Sequence, residues 1–289
     1  MICPICQNSS SRLFVKDAYW IHRCHSCGHQ FVELEPSHDH TNTIYGDHYF
    51  TGGGAGYDNY LSEADLIRAH GKRYGQMLDA YMTPGSVLDV GAAGGFVLQG
   101  LFDCGWKGMG LEPNASMAAY ARDQLGIPVA ISSLEAFQSE DQFQLISMLQ
   151  VVPHFANLRQ ALQAAASVTA PGGYWLVETW NRDSWTARCL GSKWHEYSPP
   201  SVLHWFSPEG LIQLAESYGF QEVARGRPHK WLNGGHAKSL LRAKCQETWW
   251  MRLALKAMGI IPDQLPIPYP AEDLFWMLFQ NEAAEAGTL

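Results

Sequence analysis

Short apolar runs alternate with longer stretches of helical periodicity through the middle of the chain. That alternation predicts an α/β fold, a mostly parallel sheet covered by helices on both faces. Strands are expected at residues 87–90, 108–112, 127–131, 142–149 and 174–179. Helices are expected from Phe96, over 115–125, over 156–168 with Pro153 in the first turn, and from Ser207, a cap residue, through 218. Residues 64–82 carry Leu66, Ile67, Tyr74, Met77 and Leu78 at helical spacing and stop at Thr83-Pro84-Gly85. A strand pattern returns at 221–225 and 237–242, the expected closing hairpin. Beyond Cys245 the apolar stretches 249–258 and 271–280 read as helices, broken by Pro262, Pro266, Pro268 and Pro270.

A separate pattern leads the chain. Residues 12–15 and 19–23 alternate like the two strands of a hairpin, and 30–32 supply a third. They are bracketed by Cys3-Pro4-Ile5-Cys6 and Cys24-His25-Ser26-Cys27. Four thiolates at this spacing can close a tetrahedron, and the resulting module resembles a zinc ribbon with Cys3, Cys6, Cys24 and Cys27 as ligands. A complete thiolate set leaves no open position, so zinc here would be structural; His22, His25 and His29 read as bystanders, or one of them as a replacement for a thiol. Seven cysteines, four of them in these pairs, fit a reduced cytoplasmic protein. No apolar run approaches a membrane span, and no leader pattern is visible at the start. A net charge of −8 over 289 residues argues against a grip on a phosphate backbone, so nucleic acid is not the expected partner.

The chemistry centres on Val87-Leu88-Asp89-Val90-Gly91-Ala92-Ala93-Gly94-Gly95-Phe96. A buried strand breaks into a small-residue turn that lets a ligand approach the backbone at a helix N-terminus. The next strand ends in Glu112, whose carboxylate can accept from both hydroxyls of a ribose. The pair resembles the cofactor motif of class I S-adenosylmethionine-dependent methyltransferases, with Asp89, Gly91, Ala93 and Gly95 in the motif positions and Ala93 replacing its middle glycine. A dinucleotide site would require a different glycine spacing. The resemblance extends over roughly residues 45–243, and is nearest to ubiquinone-biosynthesis-like enzymes and to zinc-ribbon methyltransferases of sugar or secondary-metabolite pathways. It implies a Rossmann-like, doubly wound, seven-stranded mostly parallel sheet. It also implies cofactor contacts from Glu112, Leu134 and Gln150, and a Tyr-rich lid before the core including Tyr49 and Tyr57. The plainer reading of that Tyr-rich, glycine-dense segment is a linker. Gln144 and Pro153 stand where the family usually has Asp and Glu.

Methyl transfer to a hydroxyl or carbon acid needs a base, and His is the usual one near neutrality. His154, after the fourth strand, leads the candidates. His195, Tyr197 and His204 lie in a Trp- and His-rich insertion after the fifth strand, which reads equally as an acceptor pocket or as aromatic packing on the sheet edge. Arg68, His70 and Arg73 read as solvated charges on the 64–82 helix, or one of them as a partner for the cofactor carboxylate. The expected organisation is a zinc ribbon (1–40), a linker and lid helix (41–82), a methyltransferase core (83–245) and a helical extension (246–289). The expected function is methyl transfer from S-adenosylmethionine to oxygen, carbon or nitrogen of a small molecule. An RNA base methyltransferase and a non-catalytic cofactor-sensing module are the alternatives. A homodimer or a partner protein could use the ribbon or the C-terminal stretch.

Overall fold

In the computed structural model the described residues are 1–36, 40–51, 60–229, 231–234, 262, 265–268 and 271–282. The ribbon is a meander of β1 (Ser10–Lys16), β2 (Tyr19–Cys24) and β3 (Gln30–Val32), all antiparallel. Two short helices follow, α1 (His40–Ile44) and α2 (Asp47–Thr51), and then α3 (Ala64–Leu78). The core runs β4 (Ser86–Val90), α4 (Phe96–Phe102), β5 (Lys107–Leu111), α5 (Ala115–Leu125), β6 (Val129–Ala130), β7 (Phe143–Leu149), α6 (Leu158–Val168) and β8 (Thr169–Trp180). It continues through α7 (Trp185–Leu190), β9 (His204–Trp205), α8 (Pro208–Glu216) and β10 (Phe220–Gly226). A two-stranded pair, β11 (Trp231–Asn233) with β12 (Pro266–Pro268), precedes the last strand, β13 (Leu274–Asn281).

The main sheet has seven strands in the order β10-β13-β8-β7-β4-β5-β6. Five are parallel, and β13 runs antiparallel between β8 and β10. Alternate residues of a strand face opposite sides, so Leu88 joins the core under α6 and α8, while its neighbour Val87 joins the core under α3, α4 and α5. The helices α3 and α4 cross almost backbone to backbone. A side chain at Gly71 would meet the Val97 carbonyl at 2.2 Å, and one at Gly100 the Arg68 carbonyl at 2.2 Å. That contact fixes the height of α3 against the sheet.

Two expectations need correction. Residues 271–280 were expected to be helical, yet Leu274–Asn281 is a strand with a sheet partner on either side. Leu274-Phe275-Trp276-Met277-Leu278-Phe279 is apolar at almost every position, and such a run suits a strand buried on both faces as well as a buried helix. The expected closing strand at 237–242 lies outside the described residues, as do Tyr57 and the expected helix at 249–258; among the described residues β10 pairs with β13. The helix expected from 156 begins at Leu158, capped by the Asn157 side chain, while Pro153 belongs to a separate turn, Val152–His154.

The ribbon does not stand apart. Its third strand pairs with β9 from the insertion after β8, giving a four-stranded sheet β1-β2-β3-β9. Ile21 and Val32 pack with Trp194, Tyr197, Val202, Leu203 and Trp205 in one buried cluster.

Candidate functional site: a cleft at the carboxyl ends of the parallel strands

The parallel strands β4, β5, β6 and β7 end on one side of the molecule, and the segments that follow them enclose a cleft of about 1450 Å³, part of it open to solvent. Gly91 and Ala93 after β4, Glu112 after β5, Leu134 after β6 and Gln150 after β7 all line it. Side chains at strand ends converge there because a doubly wound sheet leaves that edge uncovered where the connections diverge.

Glu112 is the knot of this region. The residue is 4% exposed. One oxygen accepts from the Ala93 N–H at 2.8 Å and the other from the Asn114 N–H at 2.7 Å. It therefore ties the loop after β4 to the turn after β5. Burial raises its pKa to about 7, against the pull of the two backbone donors. Asp89, buried behind the loop, is also pushed up to about 7, first by burial and with a contribution from the charge of Glu112. Asp89 and Gly95 do not line the cleft. Gly95 takes φ +82° at the start of α4, and a Cβ there would lie 3.1 Å from the Ala121 Cβ and 3.2 Å from the Ile127 Cδ1. This glycine serves helix packing. Ala93, where the motif has its middle glycine, is itself left-handed at φ +46°, a conformation that costs a residue with a Cβ about 1–2 kcal/mol. Its N–H bond to Glu112 helps hold it there.

Over the cleft lie α1 and α2. Tyr45, Tyr49 and Phe50 line it, and their edge-to-face contacts continue from Tyr45 to Tyr49 and from Tyr49 to Phe50. The Asn114 side chain caps α5 through Met117 N–H and also donates to the Tyr45 carbonyl at 3.0 Å and to Asp47 at 3.1 Å. One residue thus joins the cover to the Glu112 turn. Burial raises the Tyr49 phenol to about 12.

His154 lines the opposite wall. Its Nδ1–H donates to the Ser201 carbonyl at 2.7 Å, and the Tyr45 hydroxyl donates to the same oxygen at 2.7 Å. Burial lowers the pKa of His154. The other three candidates in the insertion sit elsewhere. Tyr197 is in the ribbon interface, its hydroxyl 2.5 Å from Gln30 Oε1 and its ring edge-on to Phe14. His204 belongs to β9, with Nε2 donating to the Phe155 carbonyl at 3.2 Å and Nδ1 3.4 Å from His29 Nε2; burial depresses it to about 4. His195 lies against Glu196, 3.3 Å away, and edge-on to Trp180. None of the three lines the cleft. The aromatic insertion is where the ribbon docks, and this outcome favours packing over an acceptor pocket. Physically, large flat side chains with one polar tip suit a seam between the ribbon and the insertion that docks it.

The cleft also contains a group with no place in the sequence reading. Glu178, near the end of β8 and 1% exposed, accepts from Gln150 Nε2 at 2.7 Å, from His70 Nε2 at 2.9 Å and from the Tyr74 hydroxyl. His70, weighed above as a surface charge on α3, lines the cleft with Glu178 and Gln150. The signal was present in the sequence: a single carboxylate inside the apolar strand Trp175-Leu176-Val177-Glu178 must find buried partners.

In the ribbon, the Sγ atoms of Cys3, Cys6, Cys24 and Cys27 lie within 4.8 Å of one another. Cys6 is 3.3 Å from Cys24 and 3.5 Å from Cys27, and Cys3 is 3.5 Å from Cys27. Four sulfurs about 2.3 Å from a tetrahedral ion would be spaced about 3.8 Å apart, so the set fits one with small adjustment. The Ser26 N–H donates to the Cys24 sulfur at 3.4 Å.

A doubly wound sheet with a small-residue loop after its first strand and an acid after its second is a Rossmann-like nucleoside-binding architecture. The family described as "Methyltransferase domain" matches residues 63–224, and the chain belongs to it. The ubiquinone biosynthesis O-methyltransferase of Nitrobacter winogradskyi is 29% identical over 144 residues, covering 48% of this chain and 53% of the relative. The chain therefore spans about half the length of the curated relatives it matches. Among solved structures, the Burkholderia thailandensis 1,6-didemethyltoxoflavin-N1-methyltransferase, with 1,6-didemethyltoxoflavin and S-adenosylhomocysteine bound, has a TM-score of 0.54 at 12% identity, covering 94% of this chain and 99% of that one. A SAM-dependent methyltransferase of Archaeoglobus fulgidus has a TM-score of 0.50 at 16% identity, covering 76% of this chain and 98% of that one. At these identities the likeness is one of fold.

Proposed function

We propose that this chain transfers a methyl group from S-adenosylmethionine to a nucleophilic oxygen, nitrogen or carbon of a small molecule held in the cleft. The observation that carries the reading is the Glu112 carboxylate, buried at the end of β5 with one donor already on each oxygen. Each oxygen keeps a second lone pair, the requirement for receiving the two hydroxyls of a ribose. Leu134 offers an apolar wall for a flat base, and Gln150 borders the loop after β4. The sulfonium supplies an already activated methyl group, so the protein's part is to align the acceptor, exclude water and take up a proton where the acceptor must lose one.

No lysine or arginine lines the cleft among the described residues, which supports a small acceptor over a nucleic acid. Among the described residues no helix is long and apolar enough to cross a membrane. For acceptors that must be deprotonated, the cleft offers two imidazoles among the described residues, His154 and His70. The four ribbon cysteines hold structural zinc in this reading, with no position left for a substrate.

Calorimetric titration with S-adenosylhomocysteine tests the cofactor: one site per chain is expected, and absence of binding would refute the reading. For the ribbon, Cys6→Ser should release the metal by elemental analysis and raise hydrogen exchange across residues 201–206. A variant that keeps a full equivalent of zinc would contradict the assignment.

A further inference from the structure

We propose that His70 and Glu178 form the proton-accepting dyad of the cleft, with His70 the catalytic residue and Glu178 the group that positions it. The proposal rests on the methyl-transfer reading above. Its ground is a contrast between the two imidazoles. His154 donates Nδ1–H to the neutral Ser201 carbonyl, and among the described residues no carboxylate bonds to it. A proton taken up there would place a positive charge against neutral groups. His70 donates Nε2–H to the Glu178 carboxylate at 2.9 Å, so a charge forming on that ring meets an anion already in contact with it.

The dyad is also held rigidly. The Tyr74 hydroxyl shares the Glu178 oxygen that His70 uses, and Gln150 Nε2 occupies the other at 2.7 Å. The carboxylate cannot swing away without breaking three hydrogen bonds, one of them fully buried. His70 sits one residue before Gly71, where α3 meets the backbone of α4, so the helix carrying the imidazole cannot slide. The histidine side chain is 16% exposed, against 1% for the glutamate. The ring is therefore the member of the pair that faces the open cleft. With Nε2–H on Glu178, the lone pair of a neutral ring is on Nδ1, which has no hydrogen-bond partner among the described residues.

In the reaction the acceptor's lone pair forms the new bond to the methyl carbon and the sulfur–carbon pair stays on sulfur. The acceptor's proton passes to His70 Nδ1, and the ring later returns it to solvent. Other charged or titratable groups near the dyad are Tyr74, Arg73, whose charge acts on Glu178, and Glu63 in the same cleft.

The test combines binding, turnover and spectroscopy on the full chain. Catechol is the probe acceptor, and S-adenosylhomocysteine formed is the readout. His70→Gln should lower kcat roughly 100-fold or more, with KM for catechol and affinity for S-adenosylhomocysteine within about threefold. The acid limb of its kcat–pH profile should disappear, and His154→Gln should keep that limb. An unimpaired His70→Gln with cofactor binding intact overturns the dyad alone. Wild-type protein that fails to bind S-adenosylhomocysteine overturns the underlying reading and the dyad with it. If catechol is not turned over, the imidazole 15N spectrum of the S-adenosylhomocysteine complex decides. A His70 ring protonated at Nε2 and bare at Nδ1 is expected, and a ring protonated at Nδ1 overturns the proposal.

Discussion

Replacing Glu112 with glutamine changes one oxygen into an NH2 group and leaves the shape nearly untouched. Whichever way the amide turns, its nitrogen faces a backbone N–H, that of Ala93 or that of Asn114. A buried donor is then left without an acceptor, at about 1–3 kcal/mol. The ribose also loses its hydrogen bonds to a charged partner, each worth about 1.5–3 kcal/mol. Since part of the first cost is already present in the free protein, the expected loss in cofactor affinity is about 2–4 kcal/mol, roughly 30- to 1000-fold. The pH dependence carries independent information. Burial raises the Glu112 carboxyl from its ordinary 4.5 to about 7, so between those values the folded chain holds a proton that the unfolded chain has lost. The stability contributed by this group is complete below pH 4.5 and is lost as pH rises through 7. Cofactor affinity should run the other way, strengthening as pH rises through 7, because only the ionised carboxylate can accept from four donors at once. Titration calorimetry with S-adenosylhomocysteine at pH 6 and pH 8, on wild type and Glu112→Gln, measures both effects. Equal affinities in the two proteins, or a wild-type affinity indifferent to pH, would refute the placement of the ribose on this residue.

Two further outcomes are expected. Gly95→Ala should cost about 1–2 kcal/mol of stability in urea unfolding, since φ +82° is strained for alanine and the new methyl presses on Ala121 and Ile127; an unchanged midpoint would contradict a packing role. Tyr197→Phe leaves the buried Gln30 oxygen without its donor and should destabilise the ribbon seam by about 1–3 kcal/mol, while leaving affinity for S-adenosylhomocysteine unchanged. A variant with weakened binding and undiminished stability would contradict the seam role of Tyr197.

The interior order of the chain was legible because local signals agreed. Strand β4 with its small-residue turn, β5 ending at Glu112, the Ser207 helix cap and the four ribbon cysteines each announce themselves within a few residues. Even so, Ser207 follows a segment whose role the same signals left open between an acceptor pocket and aromatic packing. Trp194, Tyr197 and His204 have the composition of a binding pocket, and they are instead the seam that receives the ribbon. Composition records that such residues want burial with one polar contact; it does not record what buries them.

By itself, then, the sequence determined the α/β alternation, the loop-and-acid pair around Gly91 and Glu112, and the metal-ligand spacing. These depend on neighbours in the chain, where period, turn chemistry and ligand spacing are written directly. The tertiary structure alone decided that Leu274–Asn281 is a strand between β8 and β10, that β9 completes the ribbon sheet, and that His70 meets Glu178. Each of these joins segments far apart in the chain, and an apolar run or a lone histidine carries no mark of the partner that folding will place against it.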